Sequence, residues 1–177
     1  MASMLFARLD ARDRELFLRF ATFEHASLTA RVFWKTLTHL GGVSCSVAAA
    51  VIPLFMGDVM GGALATAARY ALVALVISHL IVQLIKRTVG RRRPSRSVDC
   101  RTLVNEPDRF SFPSGHSAAA MSVAVVYAIA FPSLAIVLIP IATLVGVSRV
   151  CLGVHYPGDV LIGQLIAVLT ALLIAPH

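Results

Sequence analysis

Four stretches of this chain carry no lysine, arginine, aspartate or glutamate: residues 36–57, 70–85, 110–148 and 160–177. A soluble domain spreads charge over its whole surface, whereas a helix crossing a bilayer needs about 20 consecutive apolar residues. With 58% hydrophobic residues, 14% charged residues and a mean hydropathy of +0.81, the chain reads as a membrane protein. The 110–148 run is long enough for two helices, divided at Phe131-Pro132-Ser133. The expected fold is an all-α, polytopic helical bundle with five spanning helices, at about 38–57, 64–85, 114–131, 133–151 and 158–175. No linker separates them, so residues 36–177 form one transmembrane domain.

Residues 1–35 differ. Charges recur every few positions among Leu, Phe and Ala, which excludes a secretory signal and a span. The pattern predicts an amphipathic helix lying at the membrane interface. Packing over the polar loops of the bundle is the alternative. The net charge of +7 follows the topology and carries no nucleic-acid signature. Six basic residues (Arg8, Arg12, Arg14, Arg19, Arg31 and Lys35) precede the first span, and eight lie between Lys86 and Arg109. Five spans place both groups on one face, and the bias of positive residues makes that face cytoplasmic. The three cysteines, Cys45, Cys100 and Cys151, are odd in number and scattered, against a disulfide framework or a zinc site.

The same face collects the polar residues that suit chemistry. KRTVGRRRP places Lys86 at the end of the second span and Arg93 before Pro94. FPSGH places Ser114, Gly115 and His116 at the start of the third, and SRVCLGVHYPGD supplies Arg149, His155 and Asp159. Three cations, two histidines and a carboxylate fit a phosphoryl group. Ser114 is a candidate N-cap, so free N–H groups and the helix dipole would face an anion there. Gly115 admits close approach of an oxygen. Lys86, Arg93 and Arg149 can neutralise phosphate oxygens where charge builds up. One histidine can attack phosphorus while the other serves as general acid, and Asp159 can hold the tautomer of His155. The residues alone leave open which histidine attacks. There is no carboxylate cluster or nucleotide loop, so no metal, ATP or other cofactor is expected.

Taken together, the three blocks resemble the type 2 phosphatidic acid phosphatase family of integral membrane lipid phosphatases, relatives of the vanadium haloperoxidases. The family pattern of Lys, six residues, Arg-Pro, then Pro-Ser-Gly-His, then Ser-Arg, five residues, His, three residues, Asp is intact from Lys86 to Asp159. The resemblance implies that His155 is the nucleophile that forms a phosphohistidine, that Asp159 orients it and that His116 protonates the leaving oxygen. It further implies that Lys86, Arg93, Ser114, Gly115 and Arg149 hold the phosphate and that no metal takes part. Many members have six spans with the catalytic loops outside, whereas this chain shows five.

The implied partner is a lipid phosphate in the bilayer, its tail entering sideways: a polyprenyl diphosphate such as undecaprenyl diphosphate first, phosphatidic acid or phosphatidylglycerol phosphate as alternatives. A member that binds lipid phosphate without turnover and a vanadate-dependent haloperoxidase are the rival classes. A compact bacterial protein of the inner membrane is expected, its oligomeric state open. His79 and Gln83, one turn apart below Lys86, suit either a layer supporting the phosphate pocket or hydrogen bonding between helices. Arg87, Arg91, Arg92 and Arg96 suit a second phosphate or, more commonly, anionic headgroups. Asn105, Glu106 and Asp108 read as an exposed loop, and Ser117, Ala118, Ala119 and Ala120 as a close-packing helix face.

Overall fold

The computed structural model describes residues 2–20, 26–60, 62–98, 100, 102–106 and 108–175, with side chains described from residue 10 onward except 57–60. The described residues form seven α-helices: α1 (Ala2–Phe20), α2 (Leu28–His39), α3 (Val43–Met60), α4 (Gly62–Val89), α5 (Gly115–Ala130), α6 (Ala135–Cys151) and α7 (Pro157–Ile174). Helices α3 to α7 are the expected bundle. Their ends follow local chemistry: Ser114 caps α5, Pro157 opens α7, and Phe131-Pro132 separates α5 from α6.

Among the described residues, three helical stretches are long and apolar enough to cross a bilayer alone, namely α4, Pro132–Cys151 and α7. The first expected span, 38–57, proves to be the later part of a bent pair, α2 and α3, which meet at 48°. Gly41 stands at the elbow, where a Cβ would lie 2.5 Å from Val145 Cγ1 and 2.7 Å from the His116 carbonyl oxygen. Only a residue without a side chain lets the elbow touch α6 and the start of α5. Helix α5 has 16 residues, short of a span by length. It packs against α3, α4, α6 and α7, so protein rather than lipid surrounds it and its length need not match the hydrocarbon core. Its small face packs as expected: Ser117 and Ala118 are buried, and Ala119 and Ala120 lie against the core.

At one end of the bundle α1 lies against α6 and α7. Phe17 is fully buried there, edge-on to the Tyr156 ring at 5.3 Å, with Val150 and Val160 beside it. Leu16, Leu18 and Phe20 of the same helix remain exposed.

Candidate active site

The polar residues of the three sequence blocks meet at the α1 end of the bundle. Gly90, with φ of +63°, ends α4 in the left-handed conformation and turns the chain across the bundle. Residues 91–93 then run beside 108–111, paired by the Arg92 and Phe110 bridge and by the Ser111 N–H donating to the Arg91 carbonyl at 2.9 Å. That pairing carries Arg93 under the loop between α6 and α7 and brings Asp108 against it.

Lys86, Arg93, Asp108, Gly115, His116 and His155 line one end of a cavity of about 470 Å³. The cavity continues between α3 and α4 past Val43, Val47, Leu72, Leu75, Val76 and Leu80. The 14 residue steps from Leu72 to Lys86 correspond to about 21 Å of helix. A larger depression of about 610 Å³, bordered by Met121, Val125, Ile139, Leu161 and Val168, contains no charged side chain. Of the two, the α3/α4 cavity alone joins an apolar groove to a polar head.

Arg93 is fully buried and its guanidinium is heavily used. Nε donates to the Asp108 carbonyl at 2.8 Å, Nη2 to Asp108 Oδ1 at 2.9 Å, and Nη1 to the Val154 carbonyl at 2.9 Å. Nη1 also lies 3.2 Å from His155 Nε2. A guanidinium has only donors, so Nε2 of a neutral His155 must accept there and the ring proton belongs on Nδ1. Burial first, then the charges of Arg93, Arg149 and Lys86, hold His155 well below the ordinary histidine value, in favour of that neutral form. Nδ1 faces Asp159 Oδ2 at 3.6 Å, beyond hydrogen-bond reach, and has no partner among the described residues.

Arg149, 2% exposed, donates from Nη1 to Thr38 Oγ1 at 2.7 Å, so α2 helps hold it. Its Nε and Nη2 are buried and have no partner among the described residues. Arg149 is within electrostatic reach of Arg93, His116 and His155. Arg149 does not itself line the cavity but stands behind its lining residues His116 and His155. A buried cation lacking its counter-charge costs about 3–5 kcal/mol, which an anion held against those two histidines would relieve.

Ser114 takes a different place. Its hydroxyl accepts from the Ser117 N–H at 3.5 Å and pairs with the Ser117 hydroxyl at 2.9 Å, while its own N–H donates to the Asp159 carbonyl at 2.9 Å. It therefore caps α5 and ties α5 to α7, and it does not line the cavity. His79 and Gln83 line the cavity below Lys86, with Gln83 Nε2 3.3 Å from His79 Nε2.

Two expectations need correction. Asp108, read as part of an exposed loop, is a site residue: Lys86 Nζ donates to its Oδ2 at 2.7 Å and Arg93 to its Oδ1. Burial alone would raise the Asp108 carboxyl, but Lys86 and Arg93 hold it below the usual range. Its neighbour Glu106 is half-buried and accepts from the Ser95 hydroxyl. Arg91, read as a headgroup or second-phosphate arginine, faces inward. It pairs with Asp10, Asp13 and Asp159, each at 2.7 Å, and lies 4.1 Å over the Tyr156 ring. The sequence signal for both was the scarcity of acid: nine carboxylates in a strongly cationic chain are drawn to its buried cations.

The family described as the PAP2 superfamily matches residues 67–176, more than half of the chain and all three sequence blocks. The chain belongs to the PAP2 superfamily. Among PAP2 relatives, the lipid A 1-phosphatase of Rhizobium etli is 35% identical over 99 residues, 53% of this chain and 43% of that protein. The decaprenylphosphoryl-5-phosphoribose phosphatase of Mycolicibacterium smegmatis is 40% identical over 89 residues, 49% of this chain and 47% of that protein. The matches thus span less than half the length of these curated relatives. The first transmembrane PAP2 type phosphatidylglycerolphosphate phosphatase from Bacillus subtilis superposes with a TM-score of 0.75 at 28% identity, covering 94% of this chain and 84% of that one. Aquifex aeolicus LpxE, at 24% identity and a TM-score of 0.75, covers 90% of this chain and 92% of its own, a likeness of fold. Together with the apolar helices, these relationships make the chain an integral membrane protein of the PAP2 fold.

Proposed function

We propose that this chain is a membrane lipid phosphatase that hydrolyses the terminal phosphate of a lipid phosphate or diphosphate through a phosphohistidine on His155. The observation that carries the reading is the buried Arg149 guanidinium, two of whose N–H-bearing nitrogens lack a partner among the described residues beside a neutral, buried histidine. Lys86, Arg93, Arg149 and the N-terminal N–H groups of α5 take the non-reacting phosphate oxygens. The Nε2 lone pair of His155 forms the P–N bond, the bond from phosphorus to the lipid oxygen breaks, and His116 gives its proton to that oxygen. The charge left on the imidazole is met by Asp159. Water then attacks phosphorus as His116 takes its proton, and the P–N bond breaks to release phosphate and neutral His155. Three cationic side chains supply the neutralisation, so no metal ion is required.

The groove between α3 and α4 takes the apolar tail. Arg87, Arg92 and Arg96 remain exposed at the same end, available to a second phosphate. A polyprenyl diphosphate is therefore the first substrate, with phosphatidic acid and phosphatidylglycerol phosphate as the alternatives. The test is phosphate release by purified protein in detergent plus EDTA with each of the three lipids, and His155→Ala as control. Release that survives EDTA and disappears in the variant is expected. Loss of release with EDTA, or full release by the variant, refutes the mechanism. The excess of Lys and Arg at this end supports a site on the cytoplasmic side of a bacterial inner membrane. Thiol labelling of Ser97→Cys only after cell lysis is expected, and labelling of intact cells overturns that side.

A further inference from the structure

The carboxylate meant to steady His155 is held more firmly by something else. Asp159 Oδ2 accepts the Tyr156 N–H at 2.8 Å, and Asp159 Oδ1 accepts from Arg91 Nη1 at 2.7 Å. Asp159 is fully buried, and Arg91 is the main charge that stabilises its carboxylate, with the Tyr156 N–H and the Ser111 hydroxyl as neutral helpers.

Arg91 does not line the cavity and cannot reach a bound phosphate without leaving these partners. It is fixed from the outer side by α1. Asp13 Oδ2 accepts from the same Nη1 at 2.7 Å, and Asp10 Oδ1 accepts from Nη2 at 2.7 Å. The guanidinium carbon lies over the Tyr156 ring, which also meets the buried Phe17 of α1 edge-on. Asp13 Oδ1 also accepts the Gly158 N–H at 2.7 Å, at the first turn of α7 and one residue before Asp159. A side chain at Gly158 would lie 2.8 Å from Asp13 Oδ2, which shows how closely α1 is seated on this turn.

We infer that Arg91 is a positioning residue for the Asp159 and His155 pair, and that α1, through Asp10 and Asp13, holds Arg91 in register. The carboxylate is pinned on both oxygens before substrate arrives. When the imidazole gains charge during phosphoryl transfer, Oδ2 is already aimed at Nδ1 and needs only to close the 3.6 Å gap. The N-terminal helix is thereby part of the machinery although it touches neither phosphate nor lipid groove.

The inference rests on His155 being the nucleophile, and His155→Ala tests that separately: if it retains activity, the mechanism fails whatever Arg91 does. For the inference itself, Arg91→Gln, Arg91→Lys and Asp13→Asn are compared with the unaltered full chain. The readouts are kcat, competitive inhibition by inorganic phosphate and the melting temperature. Groups that orient a metal-bound imidazole from behind are worth about 10–100-fold, and the same scale is taken for this imidazole. Arg91→Gln is expected to lower kcat by that factor while phosphate inhibition changes less than threefold. Arg91→Lys should recover part of the loss, because one ammonium can serve Asp159 but not all three carboxylates. Asp13→Asn should cost a few-fold in kcat, again with phosphate inhibition unchanged, and it provides the test if Arg91→Gln does not fold. Equal losses in kcat and phosphate affinity would overturn the inference, as would unchanged kcat in the folded variants.

Discussion

Replacing Asp108 by Asn tests how the anion site is filled before substrate binds. The carboxylate takes Lys86 Nζ at 2.7 Å and Arg93 Nη2 at 2.9 Å, two of the cations a phosphate needs. A phosphate on the same nitrogens would place its charge about 5 Å from the carboxylate, a repulsion of about 3 kcal/mol at an effective dielectric constant near 20. The Asp108 side chain is 35% exposed and can swing aside, so the realised penalty is nearer 1–2 kcal/mol, about 5–30-fold in binding. Asp108→Asn keeps the shape and removes the charge. Inorganic phosphate should therefore inhibit the variant about 5–30-fold more tightly, measured as a competitive Ki in detergent. Without phosphate the variant should melt at lower temperature, because Lys86 and Arg93 lose charge-assisted bonds of about 1.5–3 kcal/mol each. Saturating phosphate should restore much of that loss. Weaker or unchanged phosphate inhibition would refute the reasoning and make Asp108 a residue that holds the two cations in place for substrate.

Two further outcomes follow from packing and titration. In an ordinary helix interior Gly→Ala stabilises by about 1 kcal/mol, but at Gly163 a Cβ would lie 2.5 Å from the Ser114 carbonyl oxygen, against backbone that cannot step aside. Gly163→Ala should therefore lower the melting temperature by the equivalent of about 1–3 kcal/mol and reduce activity by parting Ser114 from Asp159; a rise in melting temperature would contradict the contact. For His155, the folded value is lowered from 6.5, so the folded state binds fewer protons than the unfolded one below that pH. Stability should fall as pH drops from about 6.5 toward the folded value, and His155→Ala should make this slope shallower, as thermal unfolding against pH would show. Asp108, also lowered, acts only below its ordinary 3.8, a separate window in which stability is lost as it protonates.

Much of this protein is legible in local sequence. A run without charge long enough for a span can be satisfied only as a membrane helix, so α4, α6 and α7 follow from hydropathy, and Pro113-Ser114 and Tyr156-Pro157-Gly158 mark helix starts by capping and proline chemistry. The three polar blocks likewise place Lys86, Arg93, His116 and His155 at one end, because an even number of spans separates each from the next. What remained hidden depends on residues far apart in the chain. Arg91 meets Asp13 across 78 positions and Asp159 across 68, and Arg149 meets Thr38 across 111. No spacing rule reaches that far; such partners are chosen when the bundle closes and each buried charge takes the nearest counter-charge that the packing allows. Asp108 looked like surface for the same reason, since only the pairing of residues 91–93 with 108–111 turns it inward. Hydropathy and motif spacing suffice for the membrane bundle and the inventory of its polar end, whereas closure of the bundle, by bringing distant charges together, sets which cations are already occupied, which nitrogen of His155 meets Arg93 and which guanidinium still lacks an anion.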